Sequence, residues 1–450
     1  MTGPDPQALP GTWARLHPLS PLARGARAVV VLGAVTVPQQ LGQQNDPFRL
    51  WVDLAVALLI IAAGVVSWAV TRWRVAGSEL QIETGLLRRQ SIRVPLARVQ
   101  AVDLVRPLAA RVLGLAEVRL VLAGSGPGKS RLSYLPERRA TQVRAQLIAL
   151  SHGLSGDTPE AAERPILGVP NGRLLASALL GAPLLVTLLL VVALVFLAVS
   201  APQAVGPVLG GTATVIFASL SQVVRRLNTE FSFAVGEAPD GLRLTSGLLQ
   251  TRAETIPHGR VQAVRVVQPL LWRPAGWCRV EIDVAQQREH EIGQDDVRQL
   301  TRALLPVGTR ADAEWMLSRV LPGAGTSPPV GSRPPPRARW KAPLSYGRLR
   351  AWHDSSFVAT STGRLRTETM LIPLEKVQSI RLTQGPVQRR LAVATVHVDV
   401  AGRRWRGQAR DRDAAEAQQL VGTLATAARH ARDRTSVARQ GVADSPVQPR

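Results

Sequence analysis

One pattern of residues occurs three times in this chain, with the same internal spacing each time. Each copy has a glycine, a proline ten residues later and a glutamine fifteen residues after the glycine. These residues are Gly85, Pro95 and Gln100, then Gly247, Pro257 and Gln262, then Gly363, Pro373 and Gln378. Repetition at fixed offsets indicates that one structural unit is used several times along a chain. We call the three copies the first, second and third repeats.

Basic residues also recur at fixed places in the repeats. One set lies 13 residues after the glycine and the other lies 26 residues after it: Arg98, Arg260 and Lys376, then Arg111, Arg273 and Arg389. These cations are candidates for contact with anionic lipid headgroups or with an acidic partner. The alternative is a structural role, in which each arginine pairs locally or donates to a turn carbonyl.

The repeats predict β-strands followed by one helix. Alternating apolar and polar residues around the repeat glycine favour a β-hairpin, because a glycine tolerates the positive φ that bends often need. Apolar residues at helical spacing predict a C-terminal helix in each repeat, over residues 137–150, 295–305 and 413–428. Several strands closed by one helix make an α+β domain, built as a small barrel or sandwich.

Four apolar segments interrupt this pattern. They run from Ala26 to Leu41, Leu50 to Val70, Leu174 to Ser200 and Ala204 to Val224. About 20 apolar residues suffice for a helix to cross a bilayer. We expect four transmembrane helices in two hairpins, because four spans leave all three repeats on one side. The first two repeat glycines are also farther apart than the last two, by about the length of one hairpin.

Charges around the apolar segments predict their orientation. Arginines flank the outer ends of both predicted hairpins: Arg24, Arg27, Arg72, Arg74, Arg173, Arg225 and Arg226. Basic flanks mark the cytoplasmic side of a membrane, which places both termini and all repeats in the cytoplasm. Asp53 lies close to one end of its segment, where a hydrated position is expected. Gly206 and Gly210 have the spacing that lets two membrane helices approach closely.

Together these patterns divide the chain into nine parts. They are an N-terminal segment (1–25), a first hairpin (26–72), a first domain (73–151), a linker (152–173), a second hairpin (174–226), a second domain (227–306), a linker that is proline-rich from residue 322 (307–343), a third domain (344–430) and a disordered tail (431–450).

The repeat motif resembles that of bacterial membrane proteins that carry several bacterial pleckstrin-homology (PH) domains. The resemblance lies in Gly85–Arg89, Pro95–Val102, Arg106–Pro107 and Arg111–Leu115, with their counterparts in the later repeats. It implies three PH-like barrels, each of seven strands and partly open, capped by a C-terminal helix. It implies no catalytic residues. The third repeat departs most, since Ala392 replaces the glycine that the first repeat has at Gly114.

The composition and the motifs argue against other function classes. The net charge is +23, but its arginines are spread along the chain without aromatic platforms, so nucleic acid is not an expected partner. Cys278 is the only cysteine, and the histidines lack metal-ligand spacing. The glycine-rich run Gly124–Ser130 lacks the spacer of a phosphate-binding loop. We therefore expect no cofactor, no metal and no enzymatic activity.

The sequence thus predicts a non-catalytic PH-domain scaffold in a bacterial plasma membrane, crossing it several times. Its expected partners are membrane lipids and a homo- or hetero-oligomeric membrane partner, and strand edges are candidates for pairing between subunits. The alternative is a pathway for ions or small solutes through the apolar helices, which the scarcity of charged residues in those helices disfavours.

Overall fold

The computed structural model describes most of the chain. The described residues are 11, 13–21, 47–85, 89–122, 131–151, 164–238, 241–257, 259–284, 301–323, 329, 332–401 and 405–443. They form two compact units. Unit 1 holds the described residues of Met1–Gly168 and Asn228–Pro257, and unit 2 holds those of Val169–Leu227, His258–Gln286 and Ile292–Arg450. The boundary therefore passes through the second repeat, after Pro257.

Unit 1 contains a four-stranded sheet from the first repeat, in the order β1-β2-β3-β4. Its strands are β1 (Ala14–Arg15), β2 (Arg72–Ala76), β3 (Glu79–Thr84) and β4 (Gln90–Pro95). β3 and β4 form the predicted hairpin, with Glu79 opposite Pro95 and Thr84 opposite Gln90. Gly85, with a φ of 100°, begins the connection between them.

Unit 1 also contains a seven-stranded sheet, in the order β7-β6-β5-β11-β10-β9-β8. Its strands are β5 (Val99–Arg106), β6 (Leu115–Leu122), β7 (Arg131–Pro136), β8 (Arg164–Gly168), β9 (Ala234–Ala238), β10 (Gly241–Ser246) and β11 (Thr251–Pro257). β5 to β7 belong to the first repeat and β9 to β11 to the second. This sheet therefore joins half of one repeat to half of the next.

The core of unit 1 lies between the two groups of strands from the first repeat. Trp73 and Leu80 come from the four-stranded sheet and Val102 from the larger one. Helix α3 closes this core through Val143 and Leu147, one turn apart on the same face. The helices of unit 1 are α1 (Pro47–Val70), α2 (Leu108–Val112) and α3 (Glu137–Ser151).

Unit 2 repeats this arrangement with the second and third repeats. A six-stranded sheet has the order β14-β13-β12-β17-β16-β15, and a three-stranded sheet has the order β18-β19-β20. The strands are β12 (Val261–Pro269), β13 (Trp277–Val284), β14 (Thr301–Thr309), β15 (Arg350–His353), β16 (Phe357–Thr362), β17 (Arg366–Pro373), β18 (Val377–Thr383), β19 (Val393–Val400) and β20 (Gly407–Asp413).

Helices of unit 2 include the predicted C-terminal helix of the third repeat. They are α4 (Asn171–Leu179), α5 (Ala182–Ser200), α6 (Val205–Glu230), α7 (Arg310–Val320), α8 (Pro386–Arg390) and α9 (Ala414–Ala443). Leu424, Ala428 and Ala431 of α9 are buried with Trp405 in one core cluster. Thr309 caps α7, because its hydroxyl accepts from the Asp312 amide and the Asp312 carboxylate accepts from the Thr309 amide.

The resemblance implied three partly open, seven-stranded barrels, and no barrel is closed among the described residues. The mixed α+β class is confirmed, but the four sheets are open. The physical reason is that β5 and β12 pair with strands of the following repeat, β11 and β17. Each of these sheets therefore continues into the next repeat instead of closing on its own.

Two further local predictions require correction. The helix predicted over residues 295–305 is wrong at its described end, because residues 301–309 form β14 and the helix follows at Arg310. The tail predicted to be disordered from residue 431 continues as α9 to Ala443. Ala431 is buried against the third repeat, and the Arg432 guanidinium donates to the Val377 carbonyl over 2.9 Å.

Two helices of the described chain, not four, are long and apolar enough to cross a membrane. They are Ala182–Ser200 and Val208–Glu230, the second within α6. The first predicted segment lies outside the described residues, and the second forms α1, of which the uninterrupted apolar part is the shorter stretch Leu54–Val70.

The third predicted apolar segment is broken near its start instead of forming one helix from Leu174. α4 ends at Leu179 and α5 begins at Ala182. Pro183 causes the break, because proline lacks an N–H and its ring clashes with the preceding helical turn. Ser177 and Ala178 of α4 are buried, whereas no side chain of α5 is.

The proline-rich linker is ordered where it approaches the third repeat. It forms 3₁₀ turns at Pro336–Trp340 and Tyr346–Arg348. The Ser332 carbonyl accepts hydrogen bonds from the Arg412 guanidinium (2.6 Å) and from the Ala351 amide (3.0 Å). The linker therefore packs against the domain that it precedes.

Candidate interaction surfaces

The two apolar helices α5 and α6 form the largest exposed apolar surface described. No described side chain of α5, or of α6 before Glu230, is buried, and Val199 and Phe217 are 82% and 74% exposed. α5 has 19 residues and is about 28 Å long at 1.5 Å per residue, close to the thickness of a hydrocarbon core. Hydroxyls in the two helices bond to carbonyls of their own helix, as Thr187 does to Pro183. α5 therefore presents an apolar surface along its length, and α6 carries no charge before Arg225.

Polar contacts fix the base of these helices to the second-repeat part of unit 2. The Arg226 guanidinium lies 5.2 Å from the centre of the Trp272 ring and donates to the Ser177 hydroxyl over 3.2 Å. The Trp272 indole N–H donates to the Ser177 carbonyl over 3.1 Å. Arg173 pairs with Asp312 over 3.2 Å. Arg173 and Arg226, identified in the sequence as flanking charges, thus also anchor the helices.

Gly206 and Gly210 lie in the first turns of α6, as the predicted close-packing motif. A Cβ atom added at either glycine would meet no other atom within 4 Å. No described helix therefore packs against this pair, and its role in helix packing stays a prediction.

Arg111 and Arg273, at equivalent places in the first two repeats, make equivalent contacts. The Arg111 guanidinium donates to the Leu248 carbonyl over 2.9 Å, within unit 1. The Arg273 guanidinium donates to the Arg364 carbonyl over 2.6 Å and to the Thr367 hydroxyl over 2.9 Å, within unit 2. Each arginine thus binds the turn of the following repeat, which favours the structural interpretation for both.

Arg389, the third member of this set, has a different environment. It lies exposed in α8 of the third repeat, and no side-chain hydrogen bond joins it to the described residues. Among the described residues, no repeat turn follows it that could supply the equivalent carbonyl. Its candidate role as a contact to a partner therefore stays a prediction.

The other recurrent basic residues lie where each repeat passes from its first sheet to its second. Arg98 ends the 3₁₀ turn between β4 and β5, and Lys376 ends the equivalent turn before β18. Arg98 is exposed and Arg260 is half-buried. Lys376 is paired with Glu375 over 2.8 Å. The described contacts do not bring these residues together into one site.

Each of the four open sheets ends in two edge strands, and two of these edges have counterparts that are paired in other repeats. β4 ends the four-stranded sheet of unit 1, and β18 ends the three-stranded sheet of unit 2. β18 is mostly exposed, and Leu382 shows 39% of its surface to solvent. An exposed edge strand presents unpaired N–H and C=O groups to another chain. The two strands are therefore candidate docking sites.

A cleft of about 360 Å³ lies beside the linker on the third repeat. Asp411, which is 3% exposed, has a positive φ of 54° at its floor. One oxygen of its carboxylate accepts from the Lys341 ammonium and from the Gln388 amide, each over 2.6 Å. These contacts hold the linker on the domain. No group of three histidine, cysteine or acidic side chains that could bind a metal occurs in the described part of the chain.

Burial is the main cause of the pKa shifts of two titratable side chains, His397 and Cys278. Partial burial, followed by the charge of Arg381, lowers the pKa of His397 in the cleft. Burial raises the pKa of the Cys278 thiol to about 12. Cys278 is 4% exposed, so it is an unreactive core residue.

Sequence reasoning did not identify Asp411, Gln388 or the edge position of Leu382. The Asp411 contacts involve residues that have no counterparts in the other repeats, so no recurrent pattern marks them. Leu382 could have been identified by comparing repeats. It lies at the same distance from its repeat glycine as Leu104, which is 4% exposed. A buried position that becomes exposed in the last repeat indicates a missing partner.

Comparison with known families explains the three repeats. The sequence profile of the bacterial PH domain matches residues 27–151, 179–314 and 337–428, which together make up more than half of the chain. No curated protein and no solved structure matches the chain. PH domains are typically non-catalytic modules that commonly bind lipids or proteins, and no catalytic family is indicated. The chain belongs to the bacterial PH domain family.

Proposed function

We propose that this protein is a membrane-anchored, non-catalytic scaffold at the inner face of a bacterial membrane. The observation that carries the proposal is the pair of apolar helices α5 and α6, whose apolar parts bury no described side chain and which are joined to folded PH-domain repeats. An aqueous monomer rarely exposes so large an apolar surface. In a bilayer, the hydrocarbon core surrounds the same apolar surface.

The charge pattern supports a cytoplasmic position for the repeats. Arg173 precedes the two helices and Arg225 and Arg226 follow the apolar part of α6, whereas Ala201–Ala204 between the helices carries no charge. The retention of arginines on the cytoplasmic side then gives a hairpin with both ends inside. α1 supplies a further apolar helix before the first repeat.

The scaffold role follows from what the exposed surfaces offer. Edge strands and basic residues are suited to binding proteins and lipid headgroups, and the described residues include no metal cluster. Four hydroxyls of α5 and α6, those of Thr187, Ser200, Thr212 and Thr214, donate to carbonyls of their own helix. They therefore give no support to a solute pathway along these helices.

Cysteine labelling in intact cells tests the membrane arrangement. Gln203→Cys places a thiol in the exposed turn between α5 and α6, and Arg364→Cys places one on the third repeat. We expect a membrane-impermeant maleimide to label Gln203→Cys before lysis and Arg364→Cys only after lysis. The unmodified chain is the baseline, because its only cysteine, Cys278, is buried.

A matched pair of variants tests whether α5 must be apolar. Leu189→Arg combined with Val192→Arg puts two charges on exposed positions of α5, at a cost of about 2.5–3.5 kcal/mol each in a bilayer centre. We expect this change to abolish external labelling of Gln203→Cys, while the Leu189→Ala and Val192→Ala control retains it. External labelling of Arg364→Cys, or extraction of the unmodified chain by alkaline carbonate, would contradict the proposal.

Lipid binding is tested at the recurrent basic residues. We propose that Arg98, Arg260 and Lys376 contact anionic headgroups. Replacing all three with alanine in the full chain is expected to weaken binding of its detergent-solubilised form to vesicles that contain anionic lipid, more so at low salt. Arg364→Ala removes one exposed charge from another surface and is the control. Equal binding by the triple variant and the control would remove headgroup contact from the proposed function.

A further inference from the structure

The two internal junctions between repeats have the same strand register. In unit 1, Thr251 of β11 lies opposite Arg106 of β5. In unit 2, Thr367 of β17 lies opposite Gln268 of β12. Thr251 and Thr367 each lie four residues after the turn glycine of their repeat, and Arg106 and Gln268 each lie 21 residues after theirs. The junction is therefore a property of the repeat and not of one place in the chain.

The arginine contacts are also the same at both junctions. Arg111 and Arg273 lie at one repeat position, and they donate to the carbonyls of Leu248 and Arg364, each of which directly follows a turn glycine. A strand pair and an arginine thus join each repeat to the following one. We call the side of a repeat that joins the repeat before it the preceding side. The side that joins the repeat after it is the following side.

Among the described strands, one preceding side and one following side have no partner. β4 is equivalent to β11 and β17, and β18 is equivalent to β5 and β12, yet both are edge strands. Exposure agrees with the missing pairing: Thr383 of β18 is exposed, whereas its counterparts Val105 and Val267 are each 2% exposed. Arg389 is the unused member of the arginine set.

We propose that β18 of one chain pairs with β4 of a second copy of this chain, so that the chains assemble head to tail. The register of the internal junctions assigns Ser91 opposite Leu382 and Gln90 opposite Thr383. It also directs Arg389 towards Gly85 of the second copy. A second copy is the chosen occupant because this chain itself carries the matching strand.

The symmetry of such an assembly follows from its interface. β4 and β18 are different surfaces, so each chain offers one of each. Heterologous contacts of this kind close into rings or continue as filaments. The inference depends on strand pairing alone and does not require that the helices cross a membrane.

Disulfide trapping between two differently tagged full-length chains tests the register. One chain carries Ser91→Cys and the other carries Leu382→Cys, and the two are purified together in detergent. Opposed residues of antiparallel strands have Cα atoms about 4.5–5.5 Å apart, within the range that a disulfide spans. We expect a covalent dimer of two 48.4 kDa chains. Cys278 is buried and should contribute no background.

The control is the pair Ser91→Cys and Arg381→Cys, which is displaced by one residue and so points to opposite faces of the joined sheet. We expect at least tenfold less cross-linked dimer from this pair. Equal yields from both pairs, or no dimer from either, would overturn the proposal. So would a chain carrying both Ser91→Cys and Leu382→Cys that forms only an internal disulfide.

The mass of the unmodified protein in detergent provides an independent readout. We expect a mass of at least two chains of 48.4 kDa. Leu382→Asp should reduce the mass to that of a single chain, because a charge would enter the paired strand. Leu382 is already partly exposed, so this change should leave the melting temperature unchanged. Leu344→Asp, at a residue that directly follows the linker and is 64% exposed, should retain the assembly. A single-chain mass for the unmodified protein would overturn self-assembly.

Discussion

At the scale of single residues, the recurrent arginines show that a repeated residue does not by itself identify the group it binds. Their fixed spacing indicated that Arg111 and Arg273 have one shared role, but ligand contact and structural contact both produce such spacing. The acceptors are main-chain carbonyls, Leu248 and Arg364, in the next repeat. A carbonyl acceptor requires no particular side chain, so nothing in the sequence could identify it.

We predict that Arg273→Ala destabilises unit 2 by about 1.5–3 kcal/mol, the usual range for hydrogen bonds that involve a charged group. The change removes both donors to Arg364 and Thr367. Thermal unfolding of the detergent-solubilised protein measures it. Arg364→Ala is the matched control, because it retains the main-chain carbonyl. Equal melting temperatures for the two variants would contradict the contact.

At the scale of elements, the turn glycines were predicted from sequence and their necessity is visible in the backbone. Gly247 and Gly363 have φ values of 119° and 101°, which residues with a side chain rarely adopt. The break before Pro183 shows the opposite case, in which a long apolar run hid a change of element. The apolar run from Leu174 does not show that α4 buries one face, through Leu174, Ser177 and Ala178, whereas no side chain of α5 is buried.

We predict that Gly363→Ala is strongly destabilising. A Cβ atom at this position would lie 1.9 Å from the Arg366 carbonyl oxygen, and the positive φ adds about 1–3 kcal/mol of backbone strain. Gly422→Ala should have the opposite sign, stabilising α9 by about 0.5–1 kcal/mol, because its Cβ atom would meet nothing within 4 Å. Chemical denaturation of both variants measures the difference. A Gly363→Ala variant as stable as Gly422→Ala would contradict the turn geometry.

At the scale of the whole molecule, the sequence repeats and the compact units do not coincide. The sequence predicted the three repeats, and the match to the bacterial PH domain confirms them. It did not predict that the boundary between units falls after Pro257, within the second repeat. Alternation of side chains identifies a strand, but it does not specify which neighbour the strand joins, because main-chain hydrogen bonds carry no sequence information.

We predict that stability follows the units and not the repeats. In the Gly363→Ala variant, hydrogen exchange measured by mass spectrometry should accelerate in Val261–Pro269, which pairs with β17 in unit 2. Thr251–Pro257 belongs to the same repeat but to unit 1, and its exchange should match that of the unmodified protein. Equal acceleration in the two strands would show that the second repeat unfolds as a whole.

The shared register of the two junctions determines where a gene for such a protein can lose or gain a repeat without disturbing strand pairing. A recombination between equivalent codons of β11 and β17 would delete one complete repeat period, and the remaining hybrid strand would still match β5 residue for residue. A duplication at the same points would insert a period without a mismatch. Proteins of this kind can therefore differ by whole periods without a change of strand register at the junctions.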